Sequence, residues 1–198
     1  RWRTPLAMAM TRTLPRWPAL PPTPIVHAMS LFDIPVVTID GETTTLAPYR
    51  GQVLIIINVA SKCGTTAQYA GFEALYRAQR DAGLTVLGFP CDQFGNQEFG
   101  TEAEIKQFCS TTYDVTFPMF AKVDVNGHAA HPLYRYLKSA CPGTLGSESI
   151  KWNFTKFLVG RDGTVLERFG PLETADSMQQ AVATALAAPM PTSITKSA

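Results

Sequence analysis

Four cysteines, Cys63, Cys91, Cys109 and Cys141, are the side chains best suited to covalent chemistry at neutral pH, and Cys63 holds the most reactive position. It lies four residues beyond the apolar run Val53–Val59 (Val-Leu-Ile-Ile-Ile-Asn-Val) and just ahead of a segment with helical spacing. A strand that turns into a helix presents its side chains at a sheet edge, where ligands bind. The helix start adds unpaired N–H groups and the positive end of the dipole. Both favour the thiolate, which is the nucleophile. Lys62 offers a positive charge, and the small residues Gly64, Thr65 and Thr66 leave the sulfur accessible. The alternative is a buried, inert thiol, the commoner fate of a free cysteine.

A thiolate can attack a peroxide O–O bond, but the departing oxygen then needs a proton and hydrogen-bond donors. Amide side chains and an indole N–H can hold that charge without themselves being oxidised. The candidates are Gln97, in a loop that leaves the second buried strand, and Trp152 with Asn153, just ahead of a later strand. Taken singly, each has an equally good structural reading as a packed ring or a loop cap.

The elements that must position these groups follow from the pattern. The run Val53–Val59 reads as a central strand covered on both faces. A helix follows over 67–82, with Phe72, Leu75, Tyr76 and Gln79 on one face, and Gly83 stops it before a second buried strand at 84–89. Such a strand–helix–strand unit predicts parallel strands with a right-handed crossover. Segments 36–40 and 43–47 flank Gly41-Glu42 as an N-terminal hairpin. Thr101-Glu102-Ala103-Glu104 is a capping box that opens a helix to 112. A strand is predicted at 119–123, a helix from Pro132 to 140, a hairpin from 154–159 and 165–169, and a closing helix lined by Met178, Ala181, Val182, Ala185 and Leu186. The economical architecture is an α/β fold, a central mixed β-sheet flanked by helices on both faces.

Composition bounds the function. The chain has 198 residues, 45% of them hydrophobic and 17% charged, which suits one domain at 31–188. No apolar run approaches the roughly 18 to 20 residues of a membrane span. A net charge of +1, without a basic block interleaved with aromatics, points to no nucleic-acid partner. No CxxC pair occurs and His27, His128 and His131 stand far from any cysteine, so no metal site is expected. Irregular cysteine spacing in a chain of this size favours free thiols and an intracellular setting over a disulfide framework. Residues 1–30 carry Arg1, Arg3, Arg12 and Arg16, no acidic residue and six of the fifteen prolines. They read as a disordered extension or a mitochondrial targeting segment, so the compartment is cytoplasmic or mitochondrial. Residues 189–198 read as a flexible tail.

Three segments carry a resemblance. Asn58-Val-Ala-Ser-Lys-Cys-Gly64, Gly88-Phe-Pro-Cys-Asp-Gln-Phe94 and Ile150-Lys-Trp-Asn-Phe-Thr-Lys-Phe157 resemble the signature segments of the glutathione peroxidase family, and the similarity runs in order from 31 to 186. The resemblance implies a thioredoxin-like fold and no cofactor, with Cys63 as the residue that attacks peroxide and Gln97, Trp152 and Asn153 as the rest of a catalytic tetrad. Two residues depart from the family pattern, Asp92 where Asn is usual and Asn96 where Gly is usual. Asp92 pointed inward is expected to raise the Cys63 pKa; pointed outward it does nothing.

Attack on peroxide leaves Cys63 as a sulfenic acid, which a second thiol converts to a disulfide. Cys109 resembles the resolving cysteine of the two-cysteine members that use thioredoxin or, in kinetoplastids, tryparedoxin, and glutathione becomes the less favoured donor. Cys91 is expected to be a packed thiol and His131 a helix cap. Ile105, Phe108 and Cys109 share one helical face, so Cys109 faces the core. A disulfide needs Cα atoms within about 7 Å, and the helix at 101–112 is therefore expected to unwind locally. The resemblance further implies a monomer with an open site that admits hydrogen peroxide and organic or lipid hydroperoxides. The competing reading is a redox sensor that relays oxidation to a client protein, and a catalytically silent thioredoxin-fold binding module sits poorly with all four tetrad residues present.

Overall fold

The structure is a computed structural model that describes residues 30–190. The expectations for segments 1–30 and 189–198 lie almost wholly outside the described residues. The N-terminal hairpin forms from β1 (Pro35–Val37) and β2 (Thr43–Thr45), antiparallel. Its turn is longer than the dipeptide Gly41-Glu42, because the Thr38 hydroxyl accepts from the Glu42 amide and its carbonyl from the Gly41 amide. The apolar run is β3 (Val53–Val59), wholly buried, followed by α1 (Gln68–Gln79) and β4 (Leu84–Pro90). Helix α1 ends in a short 3-10 turn, and Gly83 at φ 98° supplies the left-handed residue that lets the chain leave it.

Helix α2 (Glu102–Tyr113) starts on the expected capping box: Thr101 Oγ1 accepts from the Glu104 amide and the Glu104 carboxylate from the Thr101 amide. Pro132 opens α3 (Pro132–Ala140), and the His131 ring accepts from the Leu133 amide, which makes it the cap. The chain closes with β5 (Lys156–Val159), β6 (Val165–Phe169) and α4 (Ala175–Ala187). The main sheet has the order β4-β3-β5-β6, with β3 and β4 parallel and the other pairs antiparallel.

Because strand side chains alternate, β3 divides the core in two. Val53, Ile55, Ile57 and Val59 pack against α1, α4 and the inner face of α2, with Tyr69, Phe72, Ile105, Cys109, Met178 and Val182. Leu54 and Ile56 pack on the other face with Leu133, Tyr134 and Leu137 of α3 and Val36 of the hairpin. Full burial of such a side chain contributes roughly 1.5–3 kcal/mol before entropy.

Two expected strands are shorter than their pattern. Segment 119–123 makes only isolated bridges, Met119 to Gly88 and Phe120 to Thr38. It stitches the hairpin to the edge of β4, and Gly88 permits this because a Cβ there would stand 2.4 Å from the Met119 sulfur. The strand expected from 154 begins at Lys156. Phe154 turns to φ 59° and gives its amide to the Asn58 carbonyl at 2.7 Å.

Candidate active site

Cys63 sits in the turn that joins the end of β3 to α1 and is 8% exposed. The turn is tied from within. The Cys63 amide donates to Thr66 Oγ1 at 2.9 Å, that hydroxyl donates to the Ala60 carbonyl at 2.8 Å, and the Thr66 amide donates to the Cys63 carbonyl. The sulfur is thereby aimed at the sheet edge with Thr65 Oγ1 3.1 Å away.

Burial pushes the Cys63 thiol up, and hydrogen bonds to sulfur outweigh it. The Thr65 hydroxyl and amide, the Trp152 indole and the Asn153 amide together hold Cys63 below the ordinary thiol value. Donors, rather than a neighbouring cation, do this. Lys62, expected to lend its charge, instead places its ammonium over the Phe99 ring at 4.1 Å. Thr65, expected only to leave the sulfur accessible, is its closest polar partner.

Asn153 is fully buried, and its Nδ2 donates to Gln97 Oε1 at 3.0 Å. Trp152 is 41% exposed, with its ring 5.8 Å from that of Phe94. Trp152 and Asn153 therefore stand near enough to favour the Cys63 thiolate, with Thr65 its one bonded partner among the described residues, and Gln97 joins through Asn153. The Gln97 carbonyl also accepts from the Lys62 amide, which ties its loop to the cysteine turn. Asp92 is turned away from the sulfur. Its carboxylate accepts from the Glu98 amide at 2.8 Å and braces the loop that carries Gln97. Asn96 adopts φ 51°, a left-handed conformation that Gly and Asn reach most easily.

Asn58, the one polar residue within β3, holds the assembly together. Its Oδ1 accepts from the Thr155 amide at 3.1 Å and its Nδ2 donates to the Trp152 carbonyl at 3.3 Å. With the Phe154 amide on its own carbonyl, Asn58 clamps the segment that delivers Trp152 and Asn153. A wholly buried amide in an aliphatic run was the available signal for this role.

The other cysteines are free thiols. Cys109 is buried on the inner face of α2 in the same core as Cys63, and burial pushes it up to about 11. Cys91 is buried on the opposite side of the sheet, and burial likewise pushes it up to about 11. Cys141 caps the end of α3 and is half-buried.

A thiol with a depressed pKa, ringed by uncharged donors at the end of a parallel strand, is what the first of the three sequence segments leads one to expect. The family model for glutathione peroxidase matches residues 31–138. The chain belongs to the glutathione peroxidase family. Among its relatives, a hydroperoxy fatty acid reductase of Synechocystis is 53% identical over 145 residues, 71% of this chain and 86% of that one. The crystal structure of the Trypanosoma cruzi protein GPX1 superposes with a TM-score of 0.67 at 38% identity, covering 80% of this chain and 97% of that one. A thioredoxin-family protein from Chlorobium tepidum, 18% identical, matches at a TM-score of 0.58 over 80% of this chain and 98% of that one, so the fold is thioredoxin-like. This family member is a thiol peroxidase, and among the described residues no helix is long and apolar enough to cross a membrane.

Proposed function

We propose that Cys63 is the peroxidatic residue and that Gln97, Trp152 and Asn153 are its catalytic partners. The observation that carries this reading is the Thr65 hydroxyl on the Cys63 sulfur, with Trp152 and Asn153 near enough to lower its pKa and Gln97 bonded to Asn153. The thiolate attacks one peroxide oxygen, the O–O bond breaks, and the donors around the sulfur stabilise the charge that develops. Cys63 leaves this step as a sulfenic acid and the substrate as water or an alcohol.

Cys109 then resolves the sulfenic acid to a disulfide. Its burial in α2 supports a resolving step in which the helix opens locally. Cys91, on the other face of the sheet, is the poorer candidate. A dithiol protein of the thioredoxin type, thioredoxin or tryparedoxin, reduces the disulfide through a mixed disulfide. The half-exposed Trp152 beside the thiol supports an open site that admits organic and lipid hydroperoxides as well as hydrogen peroxide. The similarity to a hydroperoxy fatty acid reductase favours the same substrates. The working unit is a monomer built on residues 31–188, in the cytoplasm or a mitochondrion.

Steady-state peroxide reduction with glutathione and with a thioredoxin-type donor, for wild type and Cys109→Ser, tests this. The expected result is preferential use of the protein donor, and a Cys109→Ser variant that consumes about one equivalent and stops. Undiminished turnover of Cys109→Ser with the protein donor contradicts the two-cysteine route.

A further inference from the structure

Between the Cys63 turn and α2 lies a cavity of about 290 Å³. Its walls include Phe99 on one side and Ile105 and Phe108 of α2 on the other, and Ser61 and Glu98 also line it. Glu98 is 1% exposed, yet its Oε2 makes no hydrogen bond of full geometry among the described residues, and neither does the buried Oγ of Ser61, although the two groups lie close together. A buried acceptor left unpaired costs more than its hydrogen bond would return, so such groups are rare without a purpose. Neither group contacts the Cys63 sulfur, and the peroxide step described above does not use them.

Burial pushes the Glu98 carboxyl up, with Ser61 and Lys122 opposing. Its charge reaches Tyr69 and Cys109 across the cavity and raises both further. Glu98 therefore stands between the two cysteine-bearing segments, close to Ser61 on one side and within electrostatic range of Cys109 on the other. The cavity is many times larger than one water molecule needs, so a displaced stretch of chain has somewhere to go.

We propose that this cavity is the receiving site for the opened chain of α2, with Glu98 and Ser61 as positioning residues for the resolving step. The inference rests on the reading that Cys109 resolves Cys63. When the helix opens, the backbone N–H groups of segment 105–109 lose their acceptors. They then donate to the Glu98 carboxyl and the Ser61 hydroxyl, while Ile105 and Phe108 keep apolar contact with the Phe99 wall. The chemical step balances internally. The sulfur of Cys109 attacks the sulfur of the Cys63 sulfenic acid, the S–S bond forms and the S–O bond breaks, and the hydroxyl leaves with the Cys109 proton as water. The oxidising equivalent comes from the peroxide consumed before.

Rapid mixing of the reduced full chain with one equivalent of hydrogen peroxide separates the steps. Peroxide loss reports sulfenic acid formation, and acid-quenched peptide mapping reports the Cys63–Cys109 disulfide. Glu98→Leu and the cavity-filling Ser61→Met are expected to consume peroxide at the wild-type rate and to form the disulfide about tenfold more slowly, the worth of one hydrogen bond to a charged group. Glu98→Gln keeps an acceptor of the same reach and is expected to restore most of the rate. A wild-type disulfide rate in Glu98→Leu, while Cys109→Ser remains arrested, overturns the inference alone. So does a peroxide step slowed equally with the disulfide step, or a Glu98→Gln variant as slow as Glu98→Leu. Continued turnover of Cys109→Ser removes the inference together with the two-cysteine reading.

Discussion

The Asn153 side chain donates to the side-chain oxygen Oε1 of Gln97 across 3.0 Å, joining two loops separated by 56 residues in sequence. Asn153 is fully buried while Gln97 is half-exposed, so the bond fixes the orientation of both amides beside Cys63. The Asn153 amide near the sulfur is thereby held by its neighbour, and the donors are in place before any peroxide arrives. Such preorganisation is the source of most electrostatic catalysis.

Thr65→Val tests whether donors, rather than a cation, depress the Cys63 pKa. The variant loses the 3.1 Å hydroxyl contact and keeps the Thr65 amide. Because the donors favour the thiolate, their loss moves the pKa up, and the acid limb of the thiol alkylation profile shifts to higher pH. Peroxide consumption on that limb is expected to fall by about 3- to 10-fold, as for one hydrogen bond of ~1 kcal/mol. Lys62→Gln, with its ammonium engaged on Phe99, leaves the profile in place.

Asn58→Leu tests the clamp. The substitution preserves size but strands the Thr155 amide inside the protein, while the Trp152 carbonyl keeps the Thr155 hydroxyl as its donor. One orphaned amide predicts a loss of about 1–3 kcal/mol in denaturant unfolding. Trp152 fluorescence should report a displaced indole, with a fall in peroxide consumption. An unchanged spectrum and activity contradict the clamp.

Thr101→Ala weakens the capping box of α2 by about 1 kcal/mol. If α2 must open for Cys109 to reach Cys63, lower helix stability should speed disulfide formation while leaving sulfenic acid formation alone. Quench-flow peptide mapping separates the two rates. Slower disulfide formation in Thr101→Ala argues against opening of the helix start.

The alkaline limb of stability carries the buried thiols. Burial raises Cys91 and Cys109 to about 11 in the folded protein, above the unfolded value of about 8.5. Their contribution is therefore complete below about pH 8.5 and is lost as pH rises through the interval to about 11. Lys156, driven down to about 8 by burial, opposes this, since the unfolded chain holds its proton longer. Lys138, also lowered by burial, acts with Lys156, while Tyr69 and Tyr134, raised by burial, act with the two thiols and leave a net fall. Cys91→Ala should lower the melting temperature at pH 7 through its cavity and flatten the decline toward pH 10 under reducing conditions.

The fold was largely legible because period and punctuation agree in the central elements. Val53–Val59, the Gly83 stop and the Thr101–Glu104 capping box each state a local conformation that tertiary packing keeps. Segment 119–123 and the start of β5 were not legible to that degree. At the first, a close approach to Gly88 reduces an apolar run to single bridges. At the second, Asn58 pulls Phe154 into a left-handed conformation from another strand. The site shows the same division. Cys63 was marked by its place after a strand, but the roles of Thr65 and Lys62 depend on side-chain direction. Asn58 bonds to partners 94 and 97 residues away and Glu98 lies beside Ser61 of another loop, contacts that no local pattern encodes.

Single-turnover consumption of hydrogen peroxide by the reduced protein, with each cysteine in turn replaced by serine, tests the central claim most directly. Cys63→Ser is expected to abolish rapid consumption, while Cys91→Ser, Cys109→Ser and Cys141→Ser each retain the fast first equivalent. Rapid consumption surviving in Cys63→Ser, or lost in Cys91→Ser with the fold intact, contradicts it.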